Sequence, residues 1–193
     1  MTVLYSMDPG IDIESLMVRY QEGDFSAATA LVKRLSPQLH RFFLVQFVSR
    51  RHADDLLQET WLRIHEIRHT YRPGQPVLPW LYAIARNIRV DHYRKAQRAG
   101  LREESLDEAH AIAQPSEPAS RTPDLEAILA TLPESQREVI AMLKVGGMSL
   151  EEVARATSSS VGSVKQKAHR AYEKLRERLS EIGLRSMRKG EPS

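Results

Sequence analysis

Apolar residues recur along this chain at spacings of three and four. Leu16, Tyr20, Ala27, Leu31 and Leu35 line one stripe, broken at Gly23–Asp24, where a turn is expected. After Pro37 the set Leu39, Phe42, Phe43 and Phe47 continues, and Leu57, Trp61 and Ile64 mark a further helix. No stretch alternates with a period of two, and no internal repeat is visible. The pattern predicts an all-α protein.

Two stretches interrupt the helical rhythm. "TYRPGQPVLP", residues 70–79, holds three prolines and a glycine, which a regular helix does not accommodate. A helix should then open near Pro79, a residue suited to a first turn. Residues 103–123, "EESLDEAHAIAQPSEPASRTP", are acidic, rich in Ser and Pro and nearly free of large apolar groups, as a flexible linker would be. Twenty-one extended residues reach about 70 Å. That is roughly 20 base pairs of duplex. The expected organisation is a flexible N-terminus (1–12), a helical domain (13–102), the acidic linker (103–123), a second helical domain (124–180) and a basic tail (181–193).

In the back half, Leu125, Ile128, Leu129 and Leu132 make a short amphipathic segment closed by Pro133. Gln136 to Lys144 reads as a helix stopped by Gly146–Gly147. Ser149 and Glu152 fit a capping box, with Met148 and Val153 as the hydrophobic staple, so another helix opens there. "TSSS" (157–160) is a turn, and Ser160 caps a last helix from Val161 to about Leu179. Two short helices joined by a tight turn, the second basic, form the helix-turn-helix pattern. In the last helix Val161, Val164, Ala168, Leu175 and Leu179 should face a core. Ser163, Lys167, Arg170 and Lys174 share another face, and Lys165 and Gln166 lie beside them in sequence. Six Lys and Arg between Ser160 and Ser180 oppose only Glu173 and Glu177. A solvated charged face is the plainer explanation; the capped helix before it favours DNA reading.

"PWLYAIARNIRVDHYRK", residues 79–95, resolves into three faces at about 100° per residue. Leu81, Ile84, Ala85 and Ile88 form a core stripe. Tyr82, Arg86, Arg89 and Tyr93 form a second face; Trp80, Asn87, Asp91 and Arg94 form a third, with Lys95 following. Aromatic planes interleaved with guanidinium groups suit unpaired nucleic acid, stacking on bases and neutralising phosphates. The alternative is that Trp80 and Tyr82 pack on neighbouring helices while the arginines pair with acids.

Charge sharpens this division. Residues 1–102 carry 15 Lys and Arg against 10 Asp and Glu, residues 103–123 carry 1 against 5, and residues 124–193 carry 12 against 10. A basic front, an acidic middle and a mildly basic back fit two modules and a linker. There is no cysteine, which excludes disulfides and thiolate metal sites. No apolar run would span a bilayer, and Asp8, Asp12 and Glu14 stand where a signal peptide would be apolar. A cytoplasmic protein without direct membrane insertion is expected.

"HEIRH" (65–69) fits H-E-x-x-H, in which two histidines one helical turn apart bind zinc and the glutamate is a general base. A zinc metalloprotease is thus the enzyme alternative. Against it, Arg72 and Gln75 stand where an extended motif needs Gly and His, and prolines follow at once. His40, His52, His92, His110 and His169 show no ligand spacing. No phosphate-cradling glycine loop or nucleophile–base pair is present, so neither catalysis, metal nor cofactor is expected.

Several motifs, in order, resemble the small extracytoplasmic-function class of bacterial sigma factors. They are "ADDLLQETWLRI" (53–64), "WLYAIARNIRVDHYRK" (80–95) and the segment from "LPESQREVIAMLKVGGMSLEEVA" to "VGSVKQKAHRAYEKLR" (132–176). The resemblance covers roughly 13–100 and 124–179, the family's regions 2 and 4. It implies that Asp55, Gln58 and Glu59 bind the clamp helices of the polymerase β′ subunit, with the β subunit also a partner. It implies that the break and the following helix capture a melted minus-ten element through Trp80, Tyr82, Arg86, Asn87, Arg89, Tyr93, Arg94 and Lys95. Arg72 and Gln75 are the expected contacts to a flipped base. Ser163, Lys165, Gln166, Lys167, Arg170 and Lys174 would meet the minus-thirty-five element in the major groove. An anti-sigma factor is implied as a partner. The sequence departs from the family at His52, at Thr157–Ser158, where an apolar residue and a glycine are usual, and at Lys165–Lys167. A stand-alone helix-turn-helix regulator would explain the back half but not the α-helices of the front.

Overall fold

The computed structural model describes residues 12–46, 50–98, 128–129 and 131–188. The expected linker, residues 1–11, Phe47, Leu125 and residues 189–193 lie outside them. Among the described residues the chain is helical, with no strand. The helices are α1 (Ile13–Gln21), α2 (Phe25–Val45), α3 (Arg50–Ile67), α4 (Val77–Arg98), α5 (Glu134–Lys144), α6 (Leu150–Ala156) and α7 (Val161–Arg188).

The turn after α1 forms as its residues require. Gly23 takes φ +94°, and the Asp24 carboxylate accepts the Ser26 and Ala27 N–H groups at 2.8 and 3.2 Å, capping α2. Arg19 holds the same carboxylate at 2.6 Å. The Ser26 hydroxyl, which donates to Asp24 at 2.6 Å, then Arg19 and the Ala27 N–H, favour the ionised form and hold the Asp24 pKa well below the ordinary carboxylate range. Helix α2 runs through Pro37 without ending. Proline removes one helical hydrogen bond and crowds the preceding turn. Buried Leu31 and Leu35 before it, and Leu39, Phe42 and Phe43 after it, keep one continuous apolar stripe against α1 and α3.

After α3 the chain tightens into a 3-10 turn, Arg68–Thr70, then runs irregularly through Tyr71–Pro76 with Gly74 at φ +82°. Helix α4 opens at Val77, so Pro79 sits in its first turn, where its missing N–H costs nothing.

Ile128, Leu129 and Leu132 are buried, and α5 follows. The two glycines that stop α5 have different reasons. Gly147 adopts φ +66°, a left-handed closure. Gly146 is needed for space: a Cβ there would sit 2.7 Å from the Met142 carbonyl oxygen and 3.0 Å from the Tyr82 ring. The capping box of α6 is present in both directions, with Glu152 N–H on Ser149 Oγ at 3.2 Å and Ser149 N–H on Glu152 Oε2 at 2.8 Å. Ser158 takes φ +50° in the following turn, and Ser160 caps α7 by accepting the Ser163 N–H at 3.2 Å. Helix α7 continues to Arg188, past Leu179, so residues 181–188 of the expected tail are helical.

One core spans front and back. Leu31, Leu39, Phe42, Tyr82 and Ala85 belong to the same buried cluster as Met142, Met148, Val153, Val164 and Ala168. Helix α6 packs on α4, and α5 on α2. Tyr82 lies at the junction, its ring edge-on to Phe42 at 5.2 Å between centroids.

Candidate polymerase and promoter interfaces

On α3, buried Ala53, Leu56, Thr60 and Ile64 anchor the helix inward. Asp55, Gln58 and Glu59 are exposed on the other side. Leu62 stands seven residues after Asp55, on the same face, and is 59% exposed. Sequence reading missed it, although its spacing placed it there. The result is an outward surface with two carboxylates, an amide and an apolar group, on a domain that is otherwise basic. Asp54 faces α2, with an oxygen 3.0 Å from His40 Nε2. His52, at the position where the family is acidic, stacks obliquely near His92, ring centroids 5.3 Å apart. Burial, then the His52 charge, hold the His92 pKa below its ordinary value.

The break and α4 divide the expected minus-ten residues into two sets. Arg72 and Gln75 are exposed on the loop. Beside them, Trp80 is half-buried, with its ring edge-to-face with Tyr71 at 5.7 Å. Asn87, Asp91, Tyr93, Arg94 and Lys95 are exposed, Tyr93 by 51%. This set forms an open surface.

The second set is covered. Tyr82 is 1% exposed, and burial pushes its phenol far above the ordinary range. Arg89 is 7% exposed, with its guanidinium 2.6 Å from a Glu134 oxygen and 2.9 Å from a Glu138 oxygen. Arg86 reaches the same Glu138 at 3.1 Å. Glu138 is itself 5% exposed. Burial lowers the pKa of nearby Arg137 to about 10, opposed by Glu134 and assisted by Arg89. Helix α4 is therefore buried on two faces rather than one. Its second face meets α5 and α6, which periodicity within α4 does not reveal.

The last two helices make the expected helix-turn-helix. Val153, Ala154 and Ala156 of α6 and Val164, Ala168 and Ala171 of α7 are buried. Gln166, Arg170 and Lys174 are exposed, with Ser163 and Lys167 half-buried beside them. Lys165 is also exposed, but it lies roughly 160° around the helix from Ser163 at 100° per residue. The surface that combines hydroxyl, amide and cations is thus Ser163, Gln166, Lys167, Arg170 and Lys174.

Two protein-family patterns match this chain: Sigma-70 region 2 over residues 31–99, and Sigma-70 region 4 over residues 123–175. The RNA polymerase sigma factor CarQ of Myxococcus xanthus is 35% identical over 171 residues, covering 87% of this chain and 98% of that protein. The ECF RNA polymerase sigma factor SigF of Caulobacter vibrioides is 31% identical, covering 86% and 93%. The chain belongs to the extracytoplasmic-function sigma factors. Among solved structures, CnrH in complex with the cytosolic domain of CnrY has a TM-score of 0.67 at 26% identity, covering 88% of this sigma factor and 99% of CnrH.

The H-E-x-x-H motif is built into the sigma factor's scaffold. His65 Nδ1 lies 2.7 Å from the Tyr20 hydroxyl, tying α3 to α1, and His69 sits in the 3-10 turn after α3 has ended. The two histidines therefore do not share one regular helix. No group of three metal-ligating side chains gathers among the described residues. Among them, also, no helix is long and apolar enough to cross a membrane. The carboxylates of Glu134 and Glu138, the partners of Arg86 and Arg89, were not singled out by sequence. A signal existed: Glu138 interrupts the buried run Val139–Met142 at its start.

Proposed function

We propose that this sigma factor docks on core RNA polymerase through α3 and reads promoters through two separate surfaces. Asp55, Gln58 and Glu59, with Leu62, meet the β′ clamp helices; region 4 also approaches the β subunit. Arg72 and Gln75 on the loop, with Trp80, Asn87, Tyr93, Arg94 and Lys95, take the unpaired minus-ten strand. Tyr82, Arg86 and Arg89 join them only when regions 2 and 4 part. Ser163, Gln166, Lys167, Arg170 and Lys174 enter the major groove of the minus-thirty-five element, with Lys165 at its flank. The supporting observation is that the α3, loop and α7 surfaces all stand open at once on a scaffold whose family pattern covers both halves.

In this reading the sigma factor performs no catalytic step and needs no cofactor: polymerase makes the RNA. It works in the cytoplasm. We also propose an anti-sigma factor as a partner. CnrH has been solved with the cytosolic domain of CnrY, and RpoE of Bartonella quintana, alike in fold at 23% identity and a TM-score of 0.64, with the anti-sigma factor NepR.

The test is a pull-down of core polymerase by the full-length protein, followed by run-off transcription on genomic fragments. Binding with discrete new transcripts is expected. Retention of duplex DNA by the protein alone, without polymerase binding, would overturn the reading in favour of a stand-alone regulator.

A further inference from the structure

The loop that carries Arg72 and Gln75 has little to hold it from within. Its internal bonds are Gln75 N–H to the Arg72 carbonyl at 3.2 Å and the Tyr71 hydroxyl to the Gln75 carbonyl. Gly74, at φ +82°, has nothing within 4 Å of where a Cβ would stand. Both ends of the loop, however, are tied to one helix. At the entry, Gln21 Nε2 donates to the Arg68 carbonyl at 2.6 Å and to the Tyr71 carbonyl at 2.8 Å. At the exit, the Val77 N–H, first in α4, donates to Glu14 Oε1 at 3.1 Å.

Glu14 and Gln21 are seven residues apart on α1, so they share a face and stand about 10 Å apart along its axis. That fixed spacing is imposed on the two loop ends. Between them, Tyr20 bonds His65 at 2.7 Å and receives the Arg68 guanidinium over its ring at 5.6 Å, which locks α1 to the end of α3.

We propose that α1 is a clip that presets the promoter-reading loop, with Gln21 and Glu14 as positioning residues acting through Arg72 and Gln75. The inference rests on the assignment of that loop to minus-ten capture. A loop already held in its binding shape loses less conformational freedom when a base enters, so affinity follows the clip even though α1 touches no DNA.

The chemistry of the two ends differs, and this gives the test. Gln21 acts as a donor, so Gln21→Glu, equal in shape, removes the donors and sets a carboxylate against two carbonyl oxygens. Glu14 acts as an acceptor, so Glu14→Gln keeps an oxygen for Val77. Burial already raises the Glu14 pKa, and a neutral amide suits that site. A role in packing alone would make both isosteric changes silent.

Holoenzyme reconstituted with each variant is titrated with a labelled single-stranded oligonucleotide carrying the nontemplate minus-ten element of a promoter it transcribes. Gln21→Glu is expected to weaken capture about tenfold, the scale of one or two lost hydrogen bonds, while Glu14→Gln stays near wild type and Glu14→Ala weakens. Core polymerase affinity should not change. Hydrogen exchange at Val77 should accelerate in Glu14→Ala and not in Glu14→Gln. Arg72→Ala/Gln75→Ala serves as the reference. If it loses capture while Gln21→Glu does not, the clip is overturned and the loop assignment stands. If neither loses capture, the loop assignment falls and the clip with it.

Discussion

Helices α4 and α7 are both basic, both amphipathic and both expected at DNA, yet the structure treats them oppositely. On α4, Arg86 and Arg89 end on the carboxylates of Glu138 and Glu134, with Arg89 and Glu138 out of water. On α7, Gln166, Arg170 and Lys174 point into solvent. The difference lies in what each helix meets. Over residues 161–180, helix α7 lays one apolar stripe on α5 and α6 and leaves most of the rest bare, including Leu179, which was expected in the core. Helix α4 is sandwiched, and its second face meets acids supplied by the other half of the chain. A cation on an exposed helix is ready for a phosphate. One paired with a buried carboxylate must first give up that partner, so it reports the arrangement of the two halves.

The largest expected effect comes from breaking that pairing. Glu138→Ala leaves buried Arg89 with only the exposed Glu134 and takes Arg86's partner away, so two charge-assisted bonds of roughly 1.5–3 kcal/mol each are lost. The halves are joined by a long segment, so the cost should appear as separation rather than unfolding. Small-angle X-ray scattering should show a larger radius of gyration, and the free protein should bind single-stranded minus-ten DNA more tightly. An unchanged radius would mean that the apolar contacts of Tyr82 hold the halves without the ion pairs.

A smaller effect is expected on the open helix. Lys167→Ala or Arg170→Ala should weaken promoter binding by about 1–3 kcal/mol if the side chain reads a base, with selectivity relaxed at one position. A phosphate contact would instead weaken all sequences alike and lower the salt slope by about one. Glu138→Ala combined with Arg170→Ala asks whether the two helices act independently: for distant sites without shared partners the effects should add.

The smallest expected change concerns the turn that aims α7. A residue other than glycine in the left-handed region costs about 1–2 kcal/mol, and glycine returns roughly half of that through backbone entropy. Ser158→Gly should therefore raise stability by about 0.5 kcal/mol in thermal unfolding, with α7 still presented in the same way.

Local chemistry was the part of the fold legible in the sequence. The Ser149–Glu152 box, the Ser160 cap, the Gly23–Asp24 turn and the stop after Lys144 all act within a few residues, and each reads correctly from its neighbours. Asp55, Gln58 and Glu59 on α3 came from the family resemblance, while periodicity placed the core stripe of α4. It did not say what would cover the Tyr82, Arg86 and Arg89 face, because that depends on Glu138, forty-nine residues from Arg89 in the chain. Pro37 is held inside α2 by packing on both sides of it. The ties from Gln21 and Glu14 to the loop were invisible for the same reason: a side chain that bonds a distant carbonyl leaves no periodic trace.

Gly146 sets the distance at which the two halves of the molecule close. It is an empty seat into which the Tyr82 ring leans. Any larger residue would act as a wedge, pressing at once on the last turn of α5 and on α4. Gly146→Ala is therefore expected to loosen the closure of the two halves by adding a single methyl group, with every DNA-facing and polymerase-facing side chain left in place, and thermal unfolding and small-angle X-ray scattering of the variant check it.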